Sequence, residues 1–281
     1  MKKLLFIIAV SLTSSFKAQV LTPKASPIAK IQQKVGLADI QIDYSRPSVN
    51  GRVIFGELIP YGQMWRLGAN ENTKITSSEA LIFGKDTLKA GTYALFAKPG
   101  ENNWEFYFYK DYSNWGLPEK WDDSKVALKV SASAVISKEF TENLTLQFEE
   151  LKSSSAKITL TWAQTKVTLP FALDTKTKVL ASIDKTMAGP SANDYHQAAT
   201  YYFNENLDLK KALEWSTKAV EMRGTSAYWM TRLKAQLQAA NGDFKGAIET
   251  AKLSMEAAKA DGDDAYVLAN QKSIEEWSKK R

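Results

Sequence analysis

Cysteine is absent from this chain of 281 residues, and histidine occurs once, at His196. No disulfide can staple the fold, so stability has to come from core burial. A single imidazole excludes histidine-based catalytic triads and metal sites built from several histidines or thiolates. As a lone residue His196 reads as a surface or packing group, and neither a metal nor another cofactor is expected. Phosphate-binding glycine loops are missing too: Gly84-Lys85 is followed by Asp86 where such a loop needs serine or threonine. The acidic run Asp261-Gly262-Asp263-Asp264 lacks the ligand ladder and distal glutamate of a calcium loop and reads as a solvated helix connection. Charge of one sign is also scarce. The formal net charge of +6 includes Lys2, Lys3 and Lys17, and without them 34 basic residues face 31 acidic ones, or +3. That balance argues against nucleic acid and against an anionic membrane surface as partners.

Long apolar runs are lacking as well. Residues 4–12 form such a run behind Lys2 and Lys3 and pass into Thr13, Ser14 and Ser15. The run is far short of the roughly 20 residues that cross a bilayer. A basic start, a short apolar stretch and a polar exit make a secretory signal peptide over 1–18, with cleavage after Ala18. The expectation is an exported protein, periplasmic or secreted, with no membrane span after signal cleavage.

Two compositional regimes follow. Between residues 28 and 171 apolar side chains recur at every second position, the period of a strand with one buried face. Ile40, Ile42 and Tyr44 alternate with Asp39, Gln41 and Asp43; Leu144, Leu146 and Phe148 do the same. Residues 104–109 are aromatic on both faces, which places that strand mid-sheet. Ile158, Leu160 and Trp162 lead through a polar connection to Val167, Leu169 and Phe171, read as a hairpin. Turn chemistry at Gly84-Lys85-Asp86, Ala90-Gly91 and Pro99-Gly100 divides the region into about ten short strands. The expected class is therefore α+β by segregated domains, opening with an antiparallel β-sandwich-like domain over 19–173.

After Asp174 the period becomes helical. Leu209, Ala212, Leu213, Ser216, Ala219 and Val220 are echoed thirty-five positions later by Phe244, Ala247, Ile248, Ala251, Ser254 and Met255. Helix pairs at this interval, with small residues where helices approach, resemble the tetratricopeptide repeat, although the bulky tryptophan and glycine of its first helix have no equivalents. A last helix from about Asp264, with Val267, Asn270, Ile274 and Trp277 on one face, would cover the array over 174–281. Such a tail either contacts a protein partner or simply packs on other parts of the chain.

One segment breaks the alternation. Residues 46–73 carry Arg52, Arg66, Asn70, Glu71 and Asn72 beside Tyr61 and Trp65, the mix that holds planar or hydroxyl-rich ligands such as a small molecule or glycan. The same residues also have a purely structural reading, in which arginine pairs with Glu71, asparagines cap turns and aromatics staple the loop to the sheet. Arg46, held extended by Pro47, and the more distant Trp115 complete the candidate ligand-binding set.

Tyr44-Ser45-Arg46-Pro47, Gly51-Arg52, Ile54-Phe55-Gly56, Pro60-Tyr61-Gly62, Trp65-Arg66 and Gly68-Ala69-Asn70-Glu71-Asn72-Thr73 resemble the signature of the family catalogued as domain of unknown function 2911. Ala90-Gly91-Thr92-Tyr93, Leu95-Phe96, Pro99-Gly100, Trp104 and Asn114-Trp115-Gly116 follow in the same order, so the resemblance spans about 26–173. It implies an exported β-domain, often joined to a helical tail, and no activity. Three functions stay open: an envelope binding or scaffold protein with a ligand at the loop, a carboxylate-dependent hydrolase pairing Glu71 with Asp43 or Glu57, and a structural β module whose helical tail binds protein.

Overall fold

The computed structural model describes residues 22–187 and 189–280; the signal-peptide reading, with its cleavage after Ala18, lies outside them. Among the described residues every strand precedes every α-helix, and the chain divides into two compact units between Asp174 and Thr175. The first holds β1 (Ile28–Val35), β2 (Ala38–Ser45), β3 (Thr73–Ser77), β4 (Leu81–Phe83), β5 (Asp86–Leu88), β6 (Gly91–Lys98), β7 (Asn103–Tyr109), β8 (Val126–Glu149) and β9 (Ser155–Ala172). These make one antiparallel sheet in the order β1-β2-β3-β6-β7-β8-β9-β4-β5.

The long β8 turns this ribbon into a sandwich-like wrap. Its residues 126–133 pair with β7 and residues 134–149 pair with β9, so one strand serves both halves of the sheet. Extra residues in β8 between Ile136 and Thr141 shift the register against β9. Such bulges add twist and let a strand bend from one layer into the other. Alternation then fills the interior. Ile40, Ile42 and Tyr44 of β2 point inward beside Trp104, Phe106 and Phe108 of β7, and Leu144, Leu146, Leu160 and Trp162 face them from β8 and β9. As its two-faced composition implied, β7 lies mid-sheet, and on its other face Tyr109 packs with Phe96 of β6 and Trp121.

Two expectations about strands need correction. Among the described residues nine strands form, close to the ten expected, but the last two are long rather than short. The hairpin expected between Trp162 and Val167 is instead one continuous strand, β9. In the polar stretch Gln164-Thr165-Lys166, Thr165 and Lys166 pair with Ile136 and Val135 of β8, and the exposed Gln164 stands where the ladder turns irregular and Ala163 adopts a left-handed φ of 51°. Polarity there reflects exposure rather than a turn.

The second unit is an array of six helices: α1 (Thr175–Thr186), α2 (Ala192–Asn204), α3 (Leu209–Arg223), α4 (Tyr228–Ala240), α5 (Phe244–Asp261) and α6 (Asp264–Ser278). The thirty-five-residue echo is visible in its caps and contacts. Asp208 caps α3 by accepting from Lys210 N and Lys211 N, and Asp243 caps α5 by accepting from Gly246 N, the position matching Lys211. Ala212 and Ala247, and Ser216 and Ala251, are buried at matching positions. Asn270 and Trp277 of α6 are buried as expected, with Asn270 donating to Ser254 Oγ at 2.9 Å. Among the described residues no helix is long and apolar enough to cross a membrane.

Candidate functional site

The segment between β2 and β3 is pinned at both ends to strands it does not follow in sequence. On one side Leu144 N donates to Pro47 O at 3.0 Å and Val49 N to Glu142 O at 2.8 Å, so residues 47–49 run along β8. On the other side Trp65 exchanges two backbone bonds with Ala97 of β6, at 2.7 and 2.9 Å, continuing the edge where β3 stops. The middle closes on itself, Gly56 N donating to Ile59 O at 2.9 Å and Ile59 N to Ile54 O at 2.8 Å. Ile54 and Leu67 then plug into the core. Gly68 lets the loop pass close to β2, since a Cβ there would stand 3.1 Å from Ser45 O and the backbone would have to yield by a few tenths of an ångström. A loop with this many fixed points is a preformed surface rather than a tether.

Beneath it lies a box of four rings. Trp65 stacks on Trp162 with centroids 5.8 Å apart and planes 16° off parallel, while Phe55 meets Trp104 edge-on at 4.7 Å and Trp162 at 5.9 Å. Such pairs each add about 0.5–1.5 kcal/mol beyond the area they bury. Trp65 is only 6% exposed, and its Nε1 donates to Gly68 O at 3.1 Å.

Above the stacked indoles opens a groove of about 430 Å³, within the roughly 300 to 1,000 Å³ of small-molecule sites. Leu58 and Ile59 supply its apolar wall, and Trp65 and Trp162, 6% and 1% exposed, back it from within the core. Its polar lining comes from Arg52, Arg66, Asn70, Asn50, Ser48 and Ser26. A concavity of similar size, about 420 Å³, on β1–β3 is lined by Gln32, Lys34, Asp39 and Thr76 among others and has no aromatic wall. Both groove arginines are oriented by main-chain carbonyls. Arg52 gives Nε to Val49 O at 3.0 Å and Nη2 to Ser48 O at 2.6 Å; Arg66 gives Nη1 to Asn70 O at 2.8 Å. Gly116 makes room for Arg66, since a Cβ there would come within 2.9 Å of Nη1. Asn70 takes a left-handed φ of 58° and reaches back to Ser26 O at 3.3 Å, tying the segment before β1 to the groove rim.

Of the residues singled out from sequence, the groove gathers Arg52, Trp65, Arg66 and Asn70 and leaves five elsewhere. Arg46 clamps the loop to β8 through Leu144 O at 2.9 Å and Thr145 Oγ1 at 2.6 Å. Tyr61 is exposed with its ring against Gly56. Trp115 is 67% exposed, and only its carbonyl comes near Arg66, at 3.5 Å. Glu71 and Asn72 line a separate pocket of about 40 Å³, with Asn70, Asp43, Tyr44, Ser45, Lys24 and Lys74. Glu71 pairs with Lys74 at 3.2 Å and Asp43 lies 3.3 Å from Lys30, so both carboxylates are matched by lysines. Asn72 is 3% exposed, and neither of its amide atoms has a partner. Glu57, the other carboxylate weighed with Glu71, lines neither pocket.

Sequence reasoning missed Trp162, Ser48, Asn50 and Ser26. Trp162 was legible only as an inward strand position, and nothing in its period says that a loop a hundred residues upstream lies over it. Among the described residues no group of three or more histidine, cysteine or acidic side chains stands ready for a metal.

The first unit is thus an antiparallel β domain with a loop-built groove over a buried aromatic cluster. The chain belongs to the family described as protein of unknown function DUF2911, whose model matches residues 26–171, a span holding every groove residue except Ala25. No curated protein and no solved structure matches the chain.

Proposed function

We propose that this chain is an exported binding protein whose β unit holds a small molecule or a glycan unit in the groove under the 46–73 loop. The observation that carries this reading is a groove of about 430 Å³ that gathers fixed arginine and asparagine groups beside Leu58 and Ile59, with the buried Trp65–Trp162 pair behind it. Apolar side chains hold the face of a small ring, while rim donors select among its substituents. Export rests on the apolar run behind Lys2 and Lys3. For the helical unit we keep a protein partner as the proposal, supported by exposed Met222, Trp229, Leu253 and Leu268 on a repeat-built array. The hydrolase reading has less support: Glu71 and Asp43 share a pocket of about 40 Å³, and that volume suits a few waters rather than a sugar ring.

A ligand that binds only the folded state raises its melting temperature as ligand concentration rises. Thermal unfolding against a panel of sugars and small aromatic metabolites should therefore yield a shift that Ala69→Trp, which fills the groove, removes without lowering the unliganded melting temperature. A shift that survives Ala69→Trp places the ligand elsewhere and ends this reading.

A further inference from the structure

We infer that the groove's ligand carries an anionic oxygen group, a carboxylate, phosphate or sulfate, on a flat or ring-shaped body; the inference rests on the binding role proposed above. Charge balance is the ground for it. The groove is lined by Arg52 and Arg66 and by no aspartate or glutamate. The acceptors that orient the two guanidiniums are all carbonyls, those of Ser48, Val49, Asn70 and Trp115. A carbonyl fixes the plane of a guanidinium and leaves its full charge in place. Among the described residues neither arginine has a carboxylate within ion-pair distance, whereas lysines make the pairs of the β unit. The nearby carboxylates are engaged: Glu142 Oε1 accepts from Asn50 N at 2.9 Å, and Glu71 pairs with Lys74.

A guanidinium offers five N–H donors in a rigid fork that matches a planar or tetrahedral oxyanion. Arg52 keeps Nη1 and Arg66 keeps Nε and Nη2 free of protein acceptors among the described residues. Two held cations with spare donors, set over an apolar wall and without a counter-ion, form a local positive field that the mild charge of the whole chain does not supply. A neutral ligand would leave that field unanswered. A negative group at the rim, with its body against Leu58 and Ile59, answers it.

Matched probes test this on the full chain by calorimetry: glucose beside glucuronate, glucose 6-phosphate and glucose 6-sulfate, and benzyl alcohol beside benzoate and benzyl phosphate. In at least one series a charged member should bind roughly tenfold or more tightly than its neutral parent. That advantage should shrink as salt rises. The ranking of carboxylate, phosphate and sulfate then identifies the source of the charge. Arg52→Gln with Arg66→Gln keeps amide donors for the carbonyls and should bring charged and neutral probes level, while Ala69→Trp should abolish both. Neutral parents binding as tightly as their charged partners would overturn the anion class and leave the groove reading standing. Absence of binding by every probe, or binding indifferent to Ala69→Trp, would overturn both. Should the double variant unfold, the charged-to-neutral ratio and its salt dependence in the unaltered chain still decide.

Discussion

The β unit and the helical unit bury their apolar surface in different ways. In the β unit one dominant cluster runs from Val35 near the first strand to Leu173 after the last, with a small one around Phe96 and Tyr109 on the other face of β6 and β7, and the centre of the large cluster is a set of rings contributed by β7, β9 and the loop. In the helical unit burial is divided among three clusters, each made by neighbouring helices and rich in alanine: Ala198, Ala199 and Ala212 in one, Ala235, Ala247 and Ala251 in another, Ala219 and Ala227 in the third. A core in which distant strands share the same rings is lost or kept as a whole. A stack of local interfaces opens one interface at a time. The groove sits on the first kind of core, and a rigid floor is what a preorganised site requires.

The largest effect should come from Trp104, 1% exposed and in ring contact with Phe55, Trp65 and Phe106. Trp104→Ala should remove about 3–5 kcal/mol from the β unit, the usual cost of deleting a buried large aromatic. In calorimetry the transition of the β unit should drop and that of the helices should hold; a joint drop would show the two units to be one cooperative body. Next comes Trp277, buried against Ala235, Ala247, Ile248 and Ala251. Trp277→Ala should cost about 3 kcal/mol, but locally. Hydrogen exchange should rise through α6 while α2 and α3 stay protected. Equal loss of protection in all the helices would break the contrast between the two kinds of core.

The contrast also explains how much the sequence disclosed. Local periodicity is what a sequence displays, so β2, the two-faced β7 and the thirty-five-residue echo of α3 in α5 were all legible. The loop boundaries were legible too, because alternation ends at Ser45 and resumes at Thr73, where β2 stops and β3 starts. Long-range placement was not. Arg46 works as a clamp only because Leu144 and Thr145 arrive beside it from a strand nearly a hundred residues away. Trp162 comes to lie behind the groove only because Trp65 stacks on it. The continuous β9 was hidden because a polar bulge and a polar turn look alike in composition. Helix α1 carries few buried residues, only Thr175 and Ile183, and so left no apolar stripe to read.

A smaller effect separates structure from function within the loop itself. Asn72 is buried with both amide atoms unpartnered, a condition that costs about 1–3 kcal/mol where no water or ligand satisfies the group. Asn72→Leu keeps the volume and removes the polar atoms, so it should raise the melting temperature of the β unit by the equivalent of about 1 kcal/mol. A loss of stability instead would mean that the amide is satisfied in solution, and would mark the pocket of about 40 Å³ as a hydrated part of the fold.

The smallest effect is a pH dependence confined to the helical unit. His196 on α2 has a buried Nδ1 with no partner, and burial pushes its imidazole below the ordinary 6.5. A depressed folded-state pKa means that the unfolded chain takes up the proton first. The stability this provides is complete above 6.5 and is lost as pH falls through the lower folded value. The β unit has no histidine, and two of its carboxylates are held below the ordinary 4.5, Glu105 by Lys129 and Tyr107 and Glu149 by Thr159. Their contribution is lost only further into acid. Between neutral pH and about pH 5 the helical transition should therefore fall while the β transition stays level. His196→Leu should flatten the helical profile. A β transition that drops first, or a helical profile unchanged by the substitution, would move the acid-sensitive group off His196.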